Sequence, residues 1–240
     1  MVLGQKFRGL EVSKKRILIL SFSYSHQTQN LLNKLLIGLG ESDIEVLHEK
    51  LIPERELRFP IGTISSTVYI MFQTFFRKRF PVKPLDPNVF GKWDLIIVAG
   101  PTWSYNPSGP ILSMLDRDGE KLFHGQGVMP LISCRAYWRV HFWGLRSLLK
   151  KCGAKDVCLP IIFNHPNPEP WNTIGVFLKL AGKMPERGKG WFRKYYPKYG
   201  HSKQQIDTAI DVGRKLGQDV NSEKSFDEIQ FEIPITVKKQ

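Results

Sequence analysis

Cysteine is scarce in this chain: Cys134, Cys152 and Cys158 are the three among 240 residues. So few and so odd a set excludes a disulfide framework and points to a reducing cytoplasm. Long apolar runs are missing as well, none approaching the roughly 20 residues needed to span a bilayer. The opening "MVLGQKFRGLEVSKKR" has a basic flank, but the "ILILSFS" after it lacks a small-residue cleavage site and reads as a first strand. Acidic residues are outnumbered, 22 against 35 Lys and Arg, for a formal net charge of +13. That surplus suits acidic partners, yet no nucleic-acid recognition motif accompanies it, so no specific nucleic acid is expected. The six histidines match no metal-ligand spacing, and no metal is expected. Internal repeats and low-complexity tracts are absent too.

What is present is a core-forming pattern. Apolar runs at 16–21, 44–51, 95–100, 128–133 and 157–163 read as strands, and runs such as "DLIIVAG" are apolar on both faces, as strands covered by helices must be. Amphipathic helices lie between them. Leu31, Leu32, Leu35, Leu36 and Leu39 stripe the first; Ile206, Ala209, Ile210, Gly213 and Leu216 stripe the last. Strand–helix alternation predicts an α/β fold with a doubly wound, five-stranded parallel sheet. Residues 1–14 form an N-terminal extension, 15–218 the domain, and 219–240 a tail. In that tail Ile229, Phe231, Ile233, Ile235 and Val237 alternate with polar residues, which predicts an edge strand over 228–237.

Two stretches, 53–88 and 165–201, are too long for plain connections and read as helical insertions after strands two and five. In the first, Ile64, Val68, Met71, Phe72, Phe75 and Phe76 share one side of a helix that ends in "RKRF". In the second, Ile174, Phe177, Leu178 and Ala181 do so, ahead of "ERGKGWFRKYYPK". Both leave the sheet at its carboxyl edge, where open α/β sheets bind ligands, and are placed to act as a lid. Covering the core is the plain role of such helices; contact with an anionic membrane surface is the other.

The loop 21–28, "SFSYSHQT", leaves strand one with none of the usual turn formers Gly, Pro, Asn or Asp. It offers Ser23, Ser25 and Thr28 instead, at a helix start with free backbone N–H groups. That suits a phosphate, although one such hydroxyl would suffice as a helix cap.

The pattern resembles the flavodoxin phosphate loop, with Ser23, Ser25 and Thr28 on its hydroxyl positions, Gln27 beside them, and His26 where the family carries glycine. "GPTWSYNPSGP" after strand three resembles the loop that flanks the flavin ring, and "SCRAYW" after strand four stands where the next ring-contacting loop should be. The resemblance extends to flavodoxin-like proteins assigned to dialkylresorcinol, an aromatic lipid, through "HEKLIPERELRFP", "KKCGAKDV" and "LAGK", and covers roughly residues 16–217. It implies strand order 2-1-3-4-5 and FMN bound by Ser23, Ser25, His26, Gln27, Thr28, Pro101, Thr102, Trp103, Ser104, Tyr105, Ser133, Cys134, Arg135 and Tyr137. Packing against the insertions is the competing role of Trp103 and Tyr105, and a solvated charge that of Arg135. Cys134 has no His–acid partner and reads as a buried thiol. No catalytic residue is singled out.

The activity implied is that of an FMN oxidoreductase of the NAD(P)H:quinone reductase type. NADH or NADPH would be its electron donor and a small apolar, aromatic or quinone-like molecule its substrate. A cation such as Arg135 beside the ring would favour the fully reduced, anionic flavin. Two alternatives compete: a cofactor-free module that binds lipid or membrane, and an accessory aromatase or cyclase of a lipid pathway. A cytoplasmic protein, peripheral to the inner membrane surface and paired as a homodimer, is the setting expected.

Overall fold

The computed structural model describes residues 14–184, 191–226 and 228–231. Its elements run β1 (Lys15–Ser21), α1 (Gln27–Leu39), β2 (Ile44–Lys50), α2 (Ile64–Phe75), β3 (Leu95–Trp103), β4 (Asn106–Pro107), α3 (Gly109–Phe123) and β5 (Gly127–Cys134), then α4 (Trp138–Lys151), β6 (Asp156–Val157), β7 (Ile161–Asn164), α5 (Trp171–Leu180), α6 (Trp191–Tyr195) and α7 (Lys203–Asn221). The sheet path β2-β1-β3-β5-β6 is parallel, with β7 also on β5 and β4 turned back on β3. Counting only the strands of the parallel path, this is the expected flavodoxin-type order 2-1-3-4-5.

Alternation explains the two layers. Ile17 and Ile19 of β1 and Leu95 and Ile97 of β3 face α1 and α7, while Leu18, Leu20, Ile96 and Val98 face α3 and α4. All are fully buried or nearly so, which is why these strands read as continuous apolar runs. α7 opens on a capping box, Ser202 Oγ accepting from Gln205 N–H and Gln205 Oε1 from Ser202 N–H, both at 3.1 Å.

The fifth strand departs from expectation: 157–163 is not one strand but two, β6 and β7. The cause is proline. Val128 C=O accepts from Cys158 N–H, so Pro130, two residues on, turns the same edge of β5 towards the fifth strand but has no N–H to give. Opposite it stands Pro160, equally without a donor. Three residues, 158–160, face two on β5, and the ladder resumes at Leu131 with Ile161. The tail also differs. Residues 228–231 form a turn and an irregular segment, with Ile229 buried, rather than the start of an edge strand. The remainder of the strand expected over 228–237 lies outside the described residues, as does nearly all of the extension 1–14.

Candidate functional site

The carboxyl ends of β1, β3 and β5 bring the three predicted loops to one rim. At the first, His26 stands at the N-cap of α1 with φ 60° and ψ 0°, and its side chain caps nothing. This is the left-handed conformation that glycine adopts without strain and histidine only at a cost. Ser23 Oγ accepts from Gln29 N–H at 3.2 Å. The N–H groups of Gln27 and Thr28 have no internal acceptor among the described residues. A helix start with two free donors, flanked by the Ser25 and Thr28 hydroxyls, fits a phosphate group.

The second loop is a tight hairpin. Trp103 pairs with Asn106 across two residues, Ser104 (φ 44°) and Tyr105 (φ 71°), the pattern of a type I′ turn built without its customary Asn-Gly. α2 holds it in place. Ser104 Oγ lies 2.8 Å from Thr74 Oγ1 and donates to Met71 C=O at 3.0 Å. Asn106 Nδ2 donates to the Thr74 and Phe75 carbonyls at 3.3 and 3.1 Å, closing the end of the helix. Trp103 meets Phe22, Tyr24 and Phe80 edge-on, with centroids 5.4–5.7 Å away, so packing against the first insertion engages it. The Tyr105 and Tyr137 rings meet at 4.9 Å and 70°, too close for a third ring between them.

In the third loop Arg135 is not a bare cation. It binds Glu169 at 2.7 Å and also Thr173, so its charge is balanced from the second insertion. Burial pushes the Cys134 thiol up to about 12, and Sγ donates to Asn164 Oδ1 at 2.7 Å, which leaves no thiolate. Behind the loop, Ser133 Oγ lies 2.8 Å from His201 Nε2, and the His201 and His165 rings meet at 4.9 Å. Burial lowers His201 to about 3 and His165 to about 4, so both are neutral near pH 7. Among the described residues no group of three or more His, Cys, Asp or Glu converges as a metal would need.

All three loops open onto one cavity of about 620 Å³, within the range of small-molecule sites. Of the predicted residues only His26 is absent from its wall. The insertions supply wall residues that the sequence did not point to as a site: Arg58, Ile61, Ile70 and Met71 from the first, His165, Val176, Leu180 and Tyr199 from the second. Tyr199 Oη is 2.9 Å from Ser25 Oγ, and Gln27 Oε1 accepts from His201 N–H at 2.9 Å, so the second insertion reaches the start of α1 itself. Burial pushes Tyr24 up to about 12, and its hydroxyl donates to Arg58 C=O at 2.5 Å. Only the emergence of both insertions on this rim was available as a signal for these residues.

Fold and site together define a flavodoxin-type α/β domain whose ligand rim is enlarged by two insertions. No protein-family model and no curated protein matches the chain. Among solved structures it is similar to a flavoprotein in complex with FMN from Lactobacillus acidophilus, at 19% identity over 62% of this chain and 92% of that one, with a TM-score of 0.47. A flavodoxin-like, WrbA-like protein from Agrobacterium tumefaciens is 11% identical over 88% of this chain and 100% of its own, TM-score 0.46. An NADH:FMN oxidoreductase in its apo form is 15% identical over 84% and 89%, TM-score 0.45. The class assignment rests on the strand order and register of this sheet.

Proposed function

We propose that the rim binds FMN and that the protein is a flavin-dependent oxidoreductase, with NADH or NADPH as donor and an apolar aromatic or quinone-like acceptor. The observation that carries this reading is the first turn of α1: two unanswered N–H groups beside Ser25 and Thr28, opening into a cavity large enough for a heterocycle. Bound there, a flavin would supply two-electron hydride chemistry.

The protein's own contribution is seating and exclusion. Gln27 and Thr28 N–H, with the Ser25 hydroxyl, would hold the phosphate without a Lys. Pro101, Thr102 and Ser133 line the floor, while Ile70, Met71, Val176 and Leu180 make the outer wall apolar and keep water from the acceptor. Arg135 ties the third loop to Thr173 of α5 and to Glu169 just before it, so the loop carries a cation with little net field. The net charge of +13 suits approach by the anionic nicotinamide donors.

Titration of the purified protein with FMN tests this. The flavin spectrum should shift and its fluorescence fall. Thr28→Val, which removes one hydroxyl at nearly constant volume, should weaken binding by about tenfold or more, the range for a hydrogen bond to a charged group. A protein in excess that leaves the flavin spectrum unchanged would overturn the reading. The contact between Tyr105 and Tyr137 and the apolar outer wall favour a second one, a cofactor-free lipid-binding module. Uptake of a fluorescent fatty-chain probe by a protein that rejects flavin would establish it.

A further inference from the structure

α2 is inside out for a helix that covers a core. Its buried residues are Thr67 and Thr74. Thr67 Oγ1 donates to Thr63 C=O at 2.7 Å, and Thr74 joins the hairpin through Ser104. Facing solvent instead are Val68 (53% exposed), Phe72 (63%), Phe75 (54%) and Phe76 (65%). Their rings continue beyond the helix. Phe72 meets Phe76 at 4.8 Å, Phe76 meets Phe75 at 5.3 Å, Phe75 meets Tyr105 at 6.4 Å, and Tyr105 meets Tyr137 at 4.9 Å. One exposed aromatic ridge thus crosses from α2 over the hairpin to the N-cap of α4. Phe75, Tyr105 and Tyr137 also line the cavity, so the ridge is part of its mouth.

The charged residues that follow α2 and those on α4 are cationic. No charged residue occurs between Arg58 and Arg77, and Arg77 and Lys78 then follow, both exposed. The Arg77 guanidinium reaches within 3.3 Å of where a Cβ on Gly144 would stand, beside the exposed Trp143 of α4, and the exposed Arg139 and Arg146 lie on that same helix. An apolar face this large, rimmed by cations, is out of place in water.

We propose that the ridge docks on an anionic lipid surface, with α2 lying along the headgroup boundary. Its phenylalanines would enter the acyl region while Arg77 and Lys78 meet phosphates. A second copy fits worse: a symmetric contact through this patch would set the same cations against each other, with no acidic side chain on α2 to answer them. Docked this way, the cavity mouth faces the bilayer, and an apolar molecule can pass between them without crossing water. The inference rests on the helix and not on the flavin reading.

Cosedimentation tests it, using the full chain with vesicles of phosphatidylcholine alone or mixed with phosphatidylglycerol. The wild-type protein should pellet with the mixed vesicles at low salt, and less at high salt. Phe72→Gln with Phe76→Gln, both exposed and outside the cavity wall, should lower the affinity about tenfold or more at unchanged circular dichroism. Lys78→Gln should cost less and flatten the salt dependence. No pelleting of wild type at low salt, or equal pelleting of the double variant, overturns the proposal. So does a dimer on sizing that the double variant dissociates, if no vesicle binding accompanies it. Vesicle binding by a protein that rejects FMN would leave this inference standing and the flavin reading fallen.

Discussion

At the scale of single residues, the rim holds backbone conformations that its side chains do not prefer. His26, Ser104, Tyr105 and Tyr137 all have positive φ, and all four stand in the three loops. Such strain persists where the surroundings over-determine the chain, and here it shapes the start of α1 and the hairpin. For His26 the energies can be weighed. A left-handed residue costs about 1–2 kcal/mol relative to glycine, against about 0.4–1 kcal/mol for the greater freedom of glycine in the unfolded chain. His26→Gly should therefore stabilise the protein by up to about 1.6 kcal/mol, read as a higher urea midpoint at unchanged m. A lower midpoint would mean that the imidazole makes a stabilising contact of its own.

At the scale of elements, α1 and α7 pack backbone to backbone through two glycines. A Cβ on Gly213 would sit 2.1 Å from Leu35 C=O, and one on Gly38 1.9 Å from Ile210 C=O. Neither obstacle is a side chain that could turn aside. Alanine would add about 1 kcal/mol of helix propensity, but overpacking costs about 1–3 kcal/mol, so Gly213→Ala should lower stability by up to about 2 kcal/mol. Gly40→Ala is the control: there the nearest atoms are 3.4 Å away and φ is −65°, so stability should hold or rise. Equal midpoints for both variants in urea unfolding would refute the close-packing account.

How much of this was legible in the sequence differs from element to element. β1 and β3 could be read because both their faces are covered, which leaves no polar residue in Ile17–Leu20 or Leu95–Ala99. The placing of Ser23, Ser25 and Thr28 on the cavity wall at the start of α1 could be read because hydroxyls replace the usual turn residues. The break at Pro130 and Pro160 was legible in principle but was hidden by the surrounding apolar run. The facing of α2 was not: periodicity shows that a helix has an apolar side, whereas the hydrogen-bonding needs of Ser104 and Asn106 decide which side turns inward. Tyr199 meets a loop 174 residues away, and no local pattern encodes such a contact.

At the scale of the whole molecule, buried neutral histidines should govern the response to acid. Burial holds His141 and His201 near 3 and His165 near 4, while their unfolded values lie near 6.5. As pH falls below that value the unfolded chain takes up protons that the folded chain refuses. Stability is therefore full above about pH 6.5 and declines from there towards pH 3–4. Each histidine contributes up to about 1.4 kcal/mol per pH unit, so three together contribute up to about 4. Against a total of about 5–15 kcal/mol, this should bring unfolding between about pH 5 and about pH 3. Urea midpoints that stay level between about pH 7 and pH 5 would contradict it.

Two tyrosines three residues apart link distant parts of this protein. Gly175 of α5 rests on the Tyr196 ring, where any Cβ would lie 2.4 Å from it. Tyr199, one helical turn's worth of chain later, shares a hydrogen bond with Ser25. An incoming anion that takes the Ser25 proton leaves the Ser25 oxygen to accept from the Tyr199 hydroxyl, so occupancy would fix the direction of that hydrogen bond. The segment that carries Tyr199 also carries the ring beneath Gly175, so an oriented bond at the sheet edge would steady the support of α5.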